Sequence, residues 1–314
     1  MITLGIDTSN YTTSCALYDS STGNIIQCKK LLPVKEGEKG IRQSDAVFHH
    51  TAQLSPLLKE LFEKSSVAID AVGASDKPRT VEGSYMPCFT VGYNTAVSIG
   101  AVIKKPVYTF SHQDGHIAAA VYSSGRFELL KSEFIAFHIS GGTTECLLVK
   151  PDKEKVFLVE IICSTDDINC GQAIDRCGVL LGLNFPCGAE LEGTAMLSEK
   201  TYSPKISVKD GNCNLSGLEN QCIKMLSEGE SKPDIAKYCL SFVGKTIKAM
   251  TDYAVSRYGS LPLLFAGGVM SDRFIRTFID KDYNAFYAQP EFSCDNAAGI
   301  AYLTYLKETE KNAE

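Results

Sequence analysis

The chain has 314 residues, 44% hydrophobic and 22% charged, with a formal net charge of −6. That length suits two domains or one two-lobed unit, and no apolar run approaches the roughly 18–20 residues of a membrane span. A chain that held nucleic acid unaided would be basic, so contact with RNA here needs a local basic patch or a partner. The opening MITLGIDTSN reads as a strand rather than a secretory signal. Twelve cysteines without CxxC spacing read as reduced thiols of a cytoplasmic protein. Cys163, Cys170 and Cys177 recur every seven residues, wider than iron–sulfur ligands usually come.

ITLGID and TSCALYD alternate apolar and polar residues around the polar loop TSNYTTS and predict paired strands. A helix is expected from Asp45 to Lys64, then the strand AIDAVGAS, the Pro-containing loop DKPRTVEGSYMP and a helix from Phe89 to Lys104. PVYTFS is the next strand. The second half repeats the plan, with FIAFHIS as strand, GGTT as turn and ECLLV as returning strand. VFLVEIICS, a helix over 167–181, a helix-rich region over 215–257, the strand LPLLFAGG and helices near Asp272 and Asp295 follow. Strands mixed with helices in two similar halves predict an α/β protein with an internal duplication. The tail KETEKNAE is expected to be disordered, being charged and lacking apolar residues.

Two of the five histidines, His112 and His116, stand four residues apart in SHQDGHIAAA. On a helix both imidazoles face one way, which suits a shared ion but also arises by chance. Ser111 and Asp114 form a capping-box-like pattern that starts the helix at His112. His49 and His50 read as polar helix positions or interface residues, and His138 as a half-buried strand end whose backbone matters more than its ring. Three turns rich in Gly, Ser and Thr follow apolar strands: GIDTSNYTTS, HISGGTTE and LLFAGGVMSD. Glycine lets backbone N–H groups approach an anion, and hydroxyls add donors. There is no GxxxxGK[ST] and no GxGxxG after a strand. Three such turns in a duplicated α/β chain resemble the acetate-kinase, sugar-kinase and actin arrangement: two lobes around a nucleotide cleft.

Six collinear stretches resemble one family. SHQDGHIAAA is similar to its NHxxGHIxA, HISGGTTECLLV to its VSGGxTxL, and DDINCGQAIDRCGVLLGLNFPCGAELE to its DDAxGEAFDKxAxxLGLxYPGGPxIE. NLSGL, AGGVMSDRFIR and CDNAAGIAY resemble its FSGLK, AGGVxANxxLR and TDNAAMIA. The family is the tRNA threonylcarbamoyladenosine synthase family, TsaD, formerly described as an O-sialoglycoprotein endopeptidase. The resemblance implies an actin-like ATPase fold, with one lobe of residues 1–110 plus a helix over 295–310, and a second of 111–294. It implies transfer of a threonylcarbamoyl group from threonylcarbamoyl-AMP to the exocyclic amine of the adenosine next to the tRNA anticodon. His112, His116 and Asp295 would bind one divalent metal, iron or zinc. His138, Ile139, Ser140, Gly141, Gly142 and Thr143 would hold the phosphate or carbamoyl-adenylate group. Asp175 and Gly188 would lie at the ribose, with Gly267, Gly268 and Asp272 at the nucleotide. Partners would be tRNA reached through a complex, a metal-free paralogous subunit and a small ATPase, with no membrane. Two imidazoles and a carboxylate leave open coordination positions, which suits zinc or ferrous iron.

The departures gather at the expected cleft. The family's Asp-Glu pair in its first loop becomes Tyr11-Thr12, and the residue after SGG becomes Thr143. Its Asn in the AGGVxAN turn becomes Asp272, its Lys after SGL becomes Glu219, and its glycine-rich turn becomes SDKPRTVEGSYMP with Arg79 and Glu82. This pattern leaves open a divergent paralogue with another carbamoyl-transfer or nucleotide-dependent activity, or a non-catalytic regulatory subunit of the modification complex. The metallopeptidase description is disfavoured because HExxH, whose Glu is the general base, is absent.

Overall fold

The computed structural model of the chain describes residues 1–9, 11–33, 41–294 and 297–313. The first half runs β1 (Ile2–Ser9), β2 (Thr12–Asp19), β3 (Asn24–Leu31), α1 (Gln43–Lys64), β4 (Ala71–Lys77), α2 (Phe89–Ile103), β5 (Val107–Ser111) and α3 (His112–Ser124). The second begins with β6 (Phe134–Ile139), β7 (Thr144–Asp152), β8 (Val156–Ser164), α4 (Cys170–Leu180) and α5 (Gly188–Ala195). It continues with β9 (Ser207–Lys209), β10 (Asn212–Asn214), α6 (Gly217–Ser227), α7 (Lys232–Tyr258), β11 (Leu263–Ala266), α8 (Arg273–Asp280), β12 (Ala285–Tyr287) and α9 (Ala298–Ala313).

The two large sheets share one plan. The first has the order β3-β2-β1-β4-β5 and the second β12-β11-β6-β7-β8, the same path read in reverse. In each, a hairpin pairs antiparallel (β1 with β2, β6 with β7), and the hairpin's first strand pairs parallel to a later one (β4 or β11). This is the duplication expected from the repeated strand, turn, strand pattern. β1 and β6 are buried along nearly their whole length because each has a strand on both sides and helices against its faces. The edge strand β3 escaped the sequence reading. Its Lys29 and Lys30 make NIIQCKKL look polar, as an edge strand with one wet face should. The short β9–β10 hairpin and β12, three residues per strand, were equally illegible.

The chain folds as two compact units. One comprises Met1–Phe127, Asp152–Phe157 and Glu291–Glu314, the other Glu128–Pro151 and Leu158–Pro290. The expected boundary after residue 110 therefore moves: α3, with both histidines, belongs to the first unit. The reason lies in small residues. A Cβ on Gly5 would run into the backbone of Ala297 and Ala301, and one on Gly299 into the carbonyl of Gly115. α9 thus lies directly on β1 and on α3, closer than any side chain allows, and ties α3 to its own unit. The tail expected to be disordered is instead helical to Ala313. Glu308 of this helix accepts a hydrogen bond from Tyr108 Oη at 2.6 Å, and Lys307 Nζ donates to the Lys153 carbonyl at 3.0 Å.

The second unit's core contains Ile135, Phe137, Leu240, Phe265 and seven buried cysteines, among them Cys177 and Cys222 with sulfurs 3.3 Å apart. All twelve cysteines are free thiols, and Cys294 alone is exposed. Among the described residues no helix is long and apolar enough to cross a membrane. Gly299→Ala is expected to lower unfolding free energy by about 3 kcal/mol, or to prevent folding, because the added methyl has no room. Gly193→Ala, in an open position of α5, is expected to be neutral or to stabilise by up to about 1 kcal/mol. Urea midpoints that move alike in both variants would remove the packing argument.

Candidate functional site

In the first unit β5 runs into α3 without a break. Ser111 is the N-cap: its Oγ accepts from Asp114 N–H at 3.1 Å, and Asp114 Oδ2 accepts from Ser111 N–H at 3.0 Å. The capping box sets His112 at the first helical position and His116 one turn on. Their Nε2 atoms are 2.9 Å apart. His112 Nδ1 lies 3.1 Å from Oδ1 of Asp7, a fully buried carboxylate on β1 that also accepts from Ser75 Oγ. A carboxylate only accepts, so His112 carries its proton on Nδ1 and turns the Nε2 lone pair toward His116. A carboxylate behind one ring nitrogen, with the other turned outward, is the arrangement of a metal-ligating histidine. Two nitrogens bound at about 2.05 Å lie about 2.9 Å apart at a right angle and about 3.3 Å apart at a tetrahedral one. The pair therefore fits a shared divalent ion. Asp295, the expected third ligand, lies outside the described residues, and among those described no group of three or more His, Cys, Asp or Glu could hold a metal ion.

His50 departs from its expected role. It is fully buried, with Nδ1 at 2.8 Å from Thr13 Oγ1, which donates to Gln53 Oε1 at 2.9 Å. It is an internal strut between α1 and β2, not an interface residue. Burial lowers its pKa from 6.5 to about 4, against the pull of nearby Asp7. Tyr11 is 39% exposed and Thr12 buried, where the resemblance put two carboxylates.

The other expected residues belong to the second unit. The turn after β6 is closed by Ser140 N–H on the Thr143 carbonyl at 2.7 Å, and Ser140 Oγ accepts from Gly142 N–H and Thr143 N–H at 3.2 and 3.1 Å. The start of α4 grips this turn: Gly171 N–H donates to the Ser140 carbonyl at 3.1 Å and Cys170 N–H to Thr144 Oγ1 at 2.9 Å. A Cβ on Gly171 would lie 2.7 Å from Gly141 Cα, so glycine is required there. From the other side, Gly267 at φ +99° lies against the backbone of Ile139. Ile139 keeps its side chain in the core, so it can serve a ligand only through its backbone; His138 is half-buried on the same strand. At Gly141, Gly142, Gly188 and Gly268 an added Cβ would meet nothing within 4 Å, which leaves room for a ligand.

Asp175 Oδ1 accepts from the N–H of Cys187, the residue before Gly188, at 2.8 Å; burial raises the Asp175 pKa. Asp272 caps α8, accepting from Ile275 N–H at 2.9 Å, while Glu192 of α5 accepts from Arg273 N–H at 2.8 Å. Burial, then Glu192, push the Asp272 pKa from 3.8 up to about 6. Glu219, where the resemblance put a lysine, pairs with Arg176 at 3.2 Å. Thr144, Gly171 and Asp167 also shape this site, though sequence pattern alone does not single them out. Asp167 accepts from Ile168, Leu215 and Ser216 N–H groups at 2.6, 2.8 and 2.9 Å and so holds the NLSGL segment. Burial alone would raise its pKa, but these bonds together with the Ser216 hydroxyl hold it down to about 2. Its signal was the paired aspartates of DDIN.

His50 and Asp272 give stability opposite pH slopes. Folded His50 binds a proton more weakly than the unfolded chain, so its contribution grows as pH rises from about 4 to 6.5. Folded Asp272 keeps its proton to about pH 6 whereas the unfolded side chain releases it near 3.8, so stability falls over that interval. Asp272→Asn retains an N-cap acceptor. It is expected to abolish the fall and to exceed the parent above pH 6 by roughly 2 kcal/mol in urea unfolding. No difference between the two proteins at pH 4.5 and at pH 7.5 would rule out a strained Asp272.

The family model of tRNA N6-adenosine threonylcarbamoyltransferase, TsaD, matches residues 25–302. The enzyme of that name from Herminiimonas arsenicoxydans is 27% identical over 326 aligned positions, covering 98% of this chain and 92% of its own. A homologue from Buchnera aphidicola is 29% identical over 98% of this chain and 93% of its own. Among solved structures, the activator of 2-hydroxyisocaproyl-CoA dehydratase from Clostridium difficile with bound ADPNP superposes with a TM-score of 0.54 at 16% identity, over 100% of this chain and 97% of that one. Full-length HypF in its phosphate- and nucleotide-bound form gives 0.61 at 14% identity, over 100% of this chain and 56% of that one. These structural neighbours show the actin-like ATPase fold and no more. With its duplicated sheets and a family match over most of its length, the chain belongs to the TsaD family of tRNA N6-adenosine threonylcarbamoyltransferases.

Proposed function

We propose that this chain transfers a threonylcarbamoyl group from threonylcarbamoyl-AMP to the exocyclic amine of the adenosine next to the tRNA anticodon. The observation that carries this reading is the family match over residues 25–302. The glycine-lined turns of the second unit support it, because their open positions suit an adenylate. On this reading the turn His138–Thr143 holds the phosphate. Asp175 and Gly188 lie at the ribose, and Gly267, Gly268 and Asp272 at the rest of the nucleotide. His112 and His116, with Asp295, would hold one divalent ion, iron or zinc. Such an ion, when bound, polarises a carbonyl oxygen and offsets the charge that develops on it.

The chain's own residues have three tasks in this scheme. Asp7 fixes the tautomer and ring direction of His112. The Ser140 hydroxyl keeps the phosphate turn closed. Burial of His116 and Asp7 keeps water from competing for them. In the reaction the adenine amine attacks the carbamoyl carbon, a C–N bond forms, the bond from that carbon to the phosphate oxygen breaks, and AMP leaves with the pair while the amine loses a proton. The chain is expected to work in the cytoplasm, in a complex with a metal-free paralogous subunit and a small ATPase.

Tyr11 and Thr12 favour a second reading. Neither side chain is a carboxylate, so a divergent paralogue with another carbamoyl acceptor or a nucleotide-dependent activity would keep the same ion and adenylate sites. A regulatory, non-catalytic subunit would have no need of the Asp7–His112–His116 arrangement.

Nucleoside mass spectrometry on tRNA incubated with the assembled complex and threonylcarbamoyl-AMP tests the first reading. Modified adenosine is expected, reduced at least about a hundredfold by His112→Ala with His116→Ala. Product no greater than that of the double variant would overturn it. Asp7→Asn is expected to weaken metal binding by about 10–100-fold, read by elemental analysis after graded chelation. Undiminished metal retention would remove Asp7 from its role.

A further inference from the structure

The connection between β4 and α2 carries side chains that the proposed chemistry leaves unused. β1, β4 and β5 are mutually parallel, so Ser9, Lys77 and Ser111 end at one edge of the first sheet. Carboxyl ends of strands are where open α/β sheets bind ligands. His112 follows directly on Ser111. The connection is fastened to the same helix at two points: Gln113 N–H donates to the Pro78 carbonyl at 3.0 Å, and Thr80 Oγ1 donates to Asp114 Oδ2 at 3.1 Å. It is braced internally by Arg79 N–H on Ser84 Oγ at 3.1 Å and Ser84 N–H on the Val81 carbonyl at 3.2 Å. At its far end Cys88 N–H donates to Gln43 Oε1 at 3.3 Å.

A loop held at this many points could fold its large apolar groups inward. Instead Tyr85 is 65% exposed and Val81 59% exposed, flanking the turn that Ser84 closes. Lys77 and Arg79 stand at its near end, beside the helix of His112. The chain as a whole is acidic, at −6, so any phosphate contact must be local. We infer that residues 77–85 form the platform for the acceptor RNA, with Tyr85 stacking on an unpaired base of the anticodon loop and Lys77 and Arg79 facing its phosphates. Unstacked loop bases are recognised in this way, since every base offers a flat face to an aromatic ring. A glycine-rich turn at this position has no ring to offer, so the platform belongs to this chain's own sequence. The inference rests on the tRNA reading above.

The test uses the assembled complex with Tyr85→Ala and Tyr85→Trp, each checked for an unaltered melting temperature. Two quantities are read: the KM for tRNA against that for threonylcarbamoyl-AMP, and binding of a fluorescent anticodon stem-loop RNA by anisotropy. Tyr85→Ala is expected to raise the KM for tRNA and weaken stem-loop binding by about tenfold or more. Tyr85→Trp should keep both near the parent, and the donor KM should stay in place. A parent that modifies tRNA while Tyr85→Ala does so with the same KM and binding overturns the platform alone. A parent that makes no modified tRNA but binds the stem-loop through Tyr85 overturns the reaction and supports the platform. A parent that neither modifies nor binds RNA overturns both.

Discussion

The close seating of α9 on β1 and α3 is the constraint on which the first unit depends. Gly5 and Gly299 leave no side chain between the backbones, and Gly115 makes room for the Ile300 side chain, so the helix α9 is built against the first sheet. Contacts that close gain dispersion energy along their length and tolerate no added methyl. They also hold α3 in one place, and α3 carries both histidines. The histidine pair is thus positioned by a packing contact between the beginning and the end of the chain rather than by its own loop.

Asp7 adds the electrostatic half of that arrangement. A carboxylate buried on a central strand needs strong donors, and Ser75 and His112 supply them. The same bonds set the direction of the His112 ring. His50 lies within the field of Asp7 yet is kept neutral near pH 7 by burial, so the interior holds one carboxylate and one uncharged imidazole in proximity. Polar groups placed so deep are costly unless satisfied, and the Thr13 hydroxyl meets His50 at Nδ1 while the Ser75 hydroxyl meets Asp7 at Oδ1.

The second unit builds its site from backbone more than from side chains. Ser140 closes one turn, the first residues of α4 clamp it, and Gly267 lies against the strand that leads into it. Such a cradle tolerates exchange of the side chains around it. That explains why Thr143, Glu219 and Asp272 could depart from the family pattern without loss of the fold. Glu219 has a new partner in Arg176. Asp272 still caps its helix but carries a raised pKa as the consequence of an acid in an apolar position beside Glu192.

Much of this was legible in the sequence because it is local. Strand, glycine turn and returning strand follow from period-two alternation broken by Gly and Ser; the capping box at Ser111 and Asp114 starts α3 where spacing alone predicts. The glycine turns and the His112–His116 spacing were visible for the same reason. What spans the chain was not. Nothing near His50 announces that α1 buries it against Thr13, nothing in KETEKNAE reveals that its lysine and glutamate find partners at Lys153 and Tyr108, and Asp7 gives no sign in sequence that it meets a histidine over a hundred residues later. The unit boundary was displaced because α3 packs on α9, a contact between distant segments. Periodicity and turn chemistry are properties of neighbouring residues, so the sequence by itself determined the long strands and helices, the duplication and the family, but not the edge strand β3, the three-residue strands or the helical tail. Burial, partner choice and pKa depend on which remote surfaces meet, and only the tertiary structure decided those.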